Sequence, residues 1–320
     1  MVNDMLACVR FLVVSVFTCT AVAQELRMNQ IQVIATHNSY HIAKEKPVHP
    51  DLAYSQPPLD IQLDQGVRGF ELDVYLQPEG YFKVLHVPKL DELSTCDRFT
   101  DCLTVIRDWS IANPGHVPII AHIEVKDRQR DALSNDVLIV DGLGLDNLDA
   151  EVRSVFEPGH LLTPDDVRGD AATLNEAVTG DGWPWLDEVR GRCIVILHNR
   201  GRHREAFIAK TPTLEGRAMF TFGEPGAPDA AFVIHDRADV DRIQSLVKQG
   251  YIVRTRDGGP NNPDRQFRAF ESGAQLISTD YPFDWKHEAT GYSVRFPDAR
   301  IVRANPVNAS ELLVDTPIEP

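Results

Sequence analysis

Four short segments of the chain carry side chains that could do chemistry together. In "VRGFELDVY" the apolar Phe70, Leu72 and Val74 alternate with Glu71 and Asp73. A strand sends successive side chains to opposite faces, so the two carboxylates share a face, one pleat apart. "PIIAHIEVKD" repeats the pattern, with His122, Glu124 and Lys126 on one face and Ala121, Ile123 and Val125 on the other. "ATHNSYH" ends an apolar run on His37 and Asn38, and "VLHV" ends another on His86, thirteen residues beyond Asp73. Neighbouring carboxylates repel unless a proton or cation sits between them. Glu71, Asp73 and Glu124, with the amide oxygen of Asn38, make a hard oxygen set of the kind that holds Ca²⁺ or Mg²⁺. On spacing alone that reading stands level with structural salt bridges to Arg68 or Lys126. His37 and His86 are each ordinary alone. Beside three acids they read as a general acid–base pair next to a metal.

These segments meet only if the strands that carry them end on one rim. Apolar, β-branched runs near 31–37, 67–75, 118–126, 192–198, 218–222, 231–235, 251–256 and 275–280 read as strands. Helices are clearest near 97–112, 238–249 and 262–272, the first stopped by Asn113-Pro114-Gly115 and the second by Gly250. Strand and helix in alternation imply a parallel sheet with right-handed crossovers. Eight such strands in the roughly 295 residues after position 23 suit a closed, somewhat irregular (β/α)₈ TIM barrel, of class α/β, better than an open sheet. In a barrel the face bearing the acids points inward, where an unpaired charge is expensive. That weighs against a merely solvated strand face. Pro78, Glu79 and Gly80 read as a turn that sends Tyr81–His86 back to the barrel mouth. Neither a repeat nor a low-complexity linker interrupts the chain, so one domain over 24–320 is expected, with an extended tail after Asn305.

Composition bounds the function. With 43% hydrophobic and 25% charged residues the chain is an ordinary globular one. A net charge of −15 argues against nucleic acid and lends no attraction to an anionic membrane. Residues 1–23 read as a cleaved signal peptide: the apolar run Phe11–Val22 is followed by small residues at Ala21 and Ala23, and is shorter than the ~20 residues a membrane span needs. A secreted or periplasmic protein is therefore expected, and export permits a disulfide between Cys96 and Cys102 in "CDRFTDC". Cys193, within "CIVIL", reads as a buried free thiol. No zinc site is expected, because no second closely spaced Cys or His pair joins the first.

Taken together, "THNSYH", "GFELDVY", "VLHV" and "PIIAHIEVKD" resemble the catalytic half of calcium-dependent phosphatidylinositol-specific phospholipases C. The closing stretch, "YIVRTRD" with "FRAFESGAQLISTDYP", resembles the last barrel strands of secreted bacterial and fungal members, so the likeness spans essentially the whole mature chain. The resemblance implies Asn38, Glu71, Asp73 and Glu124 as ligands of one Ca²⁺, with Mg²⁺ the less expected ion. It implies His37 and His86 as the catalytic pair, Glu71 as the base for the inositol 2-hydroxyl, and a phosphatidylinositol-type lipid at a membrane surface as substrate. Metal-independent relatives place an arginine where the calcium sits, and carboxylates here make the metal expected. Arg254 and Arg256 share a strand face and read either as phosphate- or inositol-binding residues or as outward salt bridges. Lys126 reads as a further substrate-binding residue, and Asp280, ending "LISTD", as a residue that orients His37.

Departures from the family narrow the expectation. The eukaryotic members' flanking modules have no counterpart, and with the acidic charge this favours unphosphorylated phosphatidylinositol or a related glycolipid. Lys126, two residues past Glu124, is closer to the pattern of glycerophosphodiester phosphodiesterases. Those enzymes usually begin His-Arg-Gly and carry His-Asp at the second histidine, where this chain has His37-Asn38 and His86-Val87. The alternatives are thus such a phosphodiesterase on the same barrel, or a non-catalytic Ca²⁺-dependent inositol-lipid binding protein. No obligate protein partner is evident.

Overall fold

The apolar runs form ten strands: β1 (Ile31–Thr36), β2 (Gly69–Leu76), β3 (Phe82–Val84), β4 (Ile119–Val125), β5 (Cys193–Leu197), β6 (Phe220–Thr221), β7 (Phe232–Ile234), β8 (Ile252–Arg256), β9 (Leu276–Thr279) and β10 (Val302–Ala304). The structure, a computed structural model, describes residues 26–127, 137–180, 182–297, 299–313, 315 and 317–319, and the expected leader over 1–23 lies outside them. Eight strands pair in parallel in the order β6-β5-β4-β2-β1-β9-β8-β7. Between β6 and β7 the ring is joined by a single parallel bridge, Phe222 with Phe232, where the Gly223 N–H donates to the Phe232 carbonyl at 3.0 Å. The result is a nearly closed eight-stranded parallel barrel, as the alternation of strand and helix implies.

The two remaining strands are antiparallel additions, of which the sequence reading contains the run that forms β3 but not β10. β3 pairs with β2 and β10 with β1. β3 follows the turn at Pro78–Gly80 and carries the chain back toward His86, as expected. Helices Phe99–Ala112, Val240–Lys248 and Arg265–Glu271 stand where the pattern places them. Others, such as Gly142–Val155, are less legible because glycine and acidic residues dilute the apolar period. That helix is started instead by the Asp141 side chain, which accepts from the Gly144 N–H at 2.9 Å. No described helix is long and apolar enough to cross a membrane.

Side chains at alternate positions fill the barrel in layers. At the floor, Met28, Val33, Ile120, Ile252 and Leu276 enclose a void of about 10 Å³, so that end is packed with hydrocarbon. Gly69 opens β2 where a Cβ would stand 2.6 Å from that of Ala35, which is why only glycine fits. One and two pleats higher the inward positions turn polar: Glu71 and Asp73, His122 and Glu124, Arg254 and Arg256, Ser278 and Asp280. The apolar floor fixes the register, and the register sets the height of the polar layers.

The tail after Asn305 includes a short 3₁₀ turn at Glu311–Leu313, but its end returns to the barrel. Glu319 pairs with Arg68 just before β2, the two side chains being 5% and 4% exposed, and also accepts from the Val117 N–H at 2.9 Å. Arg68 is thus committed to the floor and is not a partner of the inward acids, which corrects one of the two salt bridges weighed from spacing. Arg68→Ala should cost roughly 3–5 kcal/mol in urea unfolding, because it strands a buried carboxylate. A change within about 0.5 kcal/mol, the range of surface substitutions, would show that the tail does not close the floor.

Candidate functional site

The carboxylates arrive on paired strands. Glu71 lies beside His122 and Asp73 beside Glu124 in the β2–β4 register. Alternation therefore delivers all three acids to the interior, and their ligating oxygens lie within 4.8 Å of one another. Their exposures are 3%, 1% and 7%, so water screens them little. Two cationic side chains answer. Arg254, rising from β8, donates to Glu71 Oε2 at 2.7 Å and to Ser278 Oγ at 3.2 Å, and pairs with Asp236. Lys126 Nζ stands 3.3 Å from Asp73 and 3.1 Å from Glu124.

These contacts separate the acids electrostatically. Burial works to raise the Glu71 carboxyl, yet Arg254, with His37, His122 and His198, holds it well below the usual carboxylate range. Asp73 goes the other way. Burial, with the charges of Glu124 and Glu71 and against the pull of Lys126, pushes its carboxyl up to about 7. Neither Asp73 oxygen accepts a hydrogen bond among the described residues. A buried carboxylate compensated by one lysine and flanked by two further acids is the donor chemistry of a hard divalent cation. The residues present fit Ca²⁺.

Asn38 follows β1 with φ +42°, the left-handed region that asparagine tolerates, and its Nδ2 donates to the Tyr54 hydroxyl at 3.1 Å. That bond turns the amide nitrogen away and leaves the oxygen as the amide's acceptor. The adjacent His37 holds Asp280 through Nδ1 at 2.7 Å. Arg256 reaches both, at 3.2 Å from His37 Nδ1 and 3.3 Å from Asp280. His86 is anchored likewise: its Nδ1 lies 2.8 Å from Asp91 Oδ2, and His41 Nε2 meets the same oxygen at 2.8 Å. Burial opposes the charge on Asp91, but hydrogen bonds from His41 and His86 hold its carboxyl far below the usual range. His37, Asn38, His86, Arg256 and Asp280 line one cavity of about 780 Å³. A second cavity of about 840 Å³ adjoins it, with Glu124 and His198 in its wall.

Several sequence expectations change here. Arg254 is 2% exposed and points inward onto Glu71, so the outward salt bridge is overturned. Lys126, expected at the substrate, is an ion-pair partner of the acid cluster. Cys96 and Cys102 are joined by a disulfide, and Cys193 is a buried thiol whose pKa burial pushes up to about 12. Sequence reasoning missed Asp91 and His41, since nothing in "HVPKLD" marks the aspartate as a partner of His86. It also passed over His122 as a functional group, although it read its face correctly.

The chain matches the family model described as "Phosphoinositide phospholipase C, Ca2+-dependent" over residues 26–82 and 78–306. Comparison with curated proteins finds no match. Among solved structures it is similar to a calcium-dependent phosphoinositol-specific phospholipase C from the Gram-negative bacterium Pseudomonas sp. (myoinositol complex), at 18% identity and TM-score 0.62, covering 88% of this chain and 96% of that one. It is also similar to a Ca²⁺-dependent phosphatidylinositol-specific phospholipase C from Streptomyces antibioticus, at 20% identity and TM-score 0.60, covering 79% and 94%. These likenesses show the barrel fold.

The raised Asp73 carboxyl has a measurable sign. A carboxyl whose folded pKa exceeds its unfolded one favours the fold at low pH and loses that contribution as pH rises from about 3.8 to about 7. In chelator, Asp73→Asn should therefore raise the melting temperature at pH 8 by at least about 2 °C, with the gain shrinking toward pH 4. Calcium should raise the melting temperature of the parent chain more than that of the variant. A pH-independent difference would remove the repulsion argued for Asp73.

Proposed function

The chain belongs to the calcium-dependent phosphoinositide phospholipase C family, and from that premise we propose that it cleaves phosphatidylinositol-type lipids to diacylglycerol and a cyclic inositol phosphate. The observation that carries the reading is geometric. Two histidines, each fixed by a carboxylate through Nδ1, line one cavity beside three buried acids.

Asn38, Glu71, Asp73 and Glu124 would hold the Ca²⁺, which when bound lowers the pKa of a coordinated hydroxyl and offsets phosphate charge. Glu71 stays ionised through its pairing with Arg254 and can take the proton of the inositol 2-hydroxyl. His37, held by Asp280, donates a hydrogen bond to the phosphoryl oxygens as negative charge gathers there, and Arg256 adds a second positive group at that edge. His86 is fixed at Nδ1 by Asp91, so its other nitrogen faces the cavity and delivers a proton to the departing diacylglycerol oxygen. Running these roles in reverse with water opens the cyclic product. The half-buried Arg256, beside His37, is the cavity cation assigned to the phosphodiester, and the acidic chain suits an unphosphorylated inositol ring. Export through the leader, with action at a membrane surface outside the cytoplasm, completes the proposal.

Phosphorus NMR of the mature protein with phosphatidylinositol micelles tests it directly. A cyclic inositol phosphate signal should appear with calcium and vanish with excess chelator. Cleavage of glycerophosphodiesters without a cyclic product would favour the soluble-substrate alternative, and metal-dependent binding without turnover would favour a non-catalytic role. His37→Ala and His86→Ala should each lower kcat by at least about 100-fold while remaining folded by circular dichroism at the assay temperature. Turnover unchanged in both variants would sink the roles given to these residues.

A further inference from the structure

Two histidines inside the barrel have no part in that reaction. His122 stands on β4 one pleat below Glu124, and His198 follows β5. Their ring centroids are 5.3 Å apart, and Phe222 packs edge-on against both at 5.7 Å. His122 is 1% exposed, and neither of its ring nitrogens has a hydrogen-bond partner among the described residues; nor does His198 Nδ1. Leaving a buried polar atom unpaired costs about 1–3 kcal/mol. One nitrogen from each of the two adjoining rings is available to a common partner.

A third group converges on the same space. The ligating atoms of His122, His198 and Glu71 lie within 4.8 Å of one another, and His122 Nε2 is 3.4 Å from Glu71 Oε2. His198 also lines the second cavity, which supplies a path from solvent.

We propose that Glu71, His122 and His198 form a binding site for a divalent transition metal of the zinc class, adjoining the all-oxygen set of Glu71, Asp73 and Glu124. The donors decide the ion. Two imidazole nitrogens and one carboxylate, with room for water from the cavity, suit Zn²⁺ and Co²⁺, whereas Ca²⁺ takes oxygen. Arg254, at 2.7 Å from Glu71 Oε2, opposes a cation here. Its pairing with Asp236 on the other side of the guanidinium offsets part of that charge, and Asp73 and Glu124 stand beside Glu71. The three ligands sit on different strands, with His122 and His198 76 residues apart, so no sequence spacing announces them. Because Glu71 belongs to both sets, a transition metal would compete for the carboxylate that the proposed reaction uses; only this consequence rests on that reading.

The test needs no turnover. The chelator-stripped mature chain is titrated with Co²⁺ and followed by visible absorption, then Zn²⁺ is used to displace it. One Co²⁺ per chain should bind with a histidine-ligand spectrum. His122→Asn and His198→Asn should each weaken binding by more than about 10-fold, since losing even the hydrogen-bond partner of a ligand costs that much. Asp73→Asn should retain the spectrum. No Co²⁺ binding, or binding unchanged in both histidine variants, overturns the site. His198 is the less buried of the pair, so its variant decides the matter if His122→Asn does not fold. A chain that binds Co²⁺ through these histidines but forms no cyclic phosphate keeps this site and loses the reaction proposed above, and the reverse result does the opposite.

Discussion

Three carboxylates side by side in a nearly dry barrel interior are the constraint on which the rest of the site depends. Each is costly to bury as a charge, and their mutual repulsion adds to the cost. The fold answers with cations delivered from different directions: Arg254 from β8 onto Glu71, and Lys126 from the end of β4 onto Asp73 and Glu124. The answer is uneven. Glu71 is fully compensated and held ionised, while Asp73 keeps two oxygens without hydrogen bonds and a raised carboxyl. Polar cost is thus concentrated at one side of the cluster. The apolar floor of Val33, Ile120, Ile252 and Leu276 bears it by fixing strand register beneath.

The histidines on the rim repeat one device. Each has Nδ1 tied to an aspartate whose charge its own partners stabilise: Asp280 by His37 and Arg256, Asp91 by His41 and His86. Such a bond fixes the tautomer as well as the ring's direction, so the opposite nitrogen is presented to the cavity in a defined state. His41 shows how far inward the support runs, because it is wholly buried and packs its ring 4.7 Å from that of Tyr54. Tyr54 in turn holds the Asn38 amide. The two ends of the first motif, Asn38 and His41, are therefore coupled through one tyrosine.

Legibility in the sequence followed the period of two. Wherever an inward residue alternated with apolar neighbours, as in Glu71, Asp73, His122 and Glu124, its face could be read, and the strand count gave the barrel. What escaped were relations between strands. Arg254 shares a face with Arg256 in the sequence, yet its contact with Glu71 depends on barrel closure and stagger, which no local pattern encodes. Asp91 lies in a loop, where side-chain direction has no period at all. Lys126 was placed on the correct face, and the ion-pair partners it meets there, Asp73 and Glu124, come from the pairing of β2 with β4. The weak seam between β6 and β7 was also invisible, since two- and three-residue strands leave hardly any alternation to read.

The chain combines two ways of neutralising such a cluster, an arginine and a candidate divalent site, and the geometry indicates why both fit. A guanidinium is planar and bulky, and Arg254 engages Glu71 Oε2 and Ser278 on one side while Asp236 takes its other nitrogen. Asp73 and Glu124 have Lys126, not Arg254, as their ion-pair partner among the described residues. Those two depend on Lys126, whose flexible stem can withdraw at modest cost, unlike the buried fork of Arg254. A compact ion entering there would bring a doubly charged centre to Asp73 and Glu124 in place of one ammonium. On this view Arg254 does not substitute for the metal. It sets the ionisation of Glu71, so that the carboxylate assigned as base is already a base before any ion or substrate arrives.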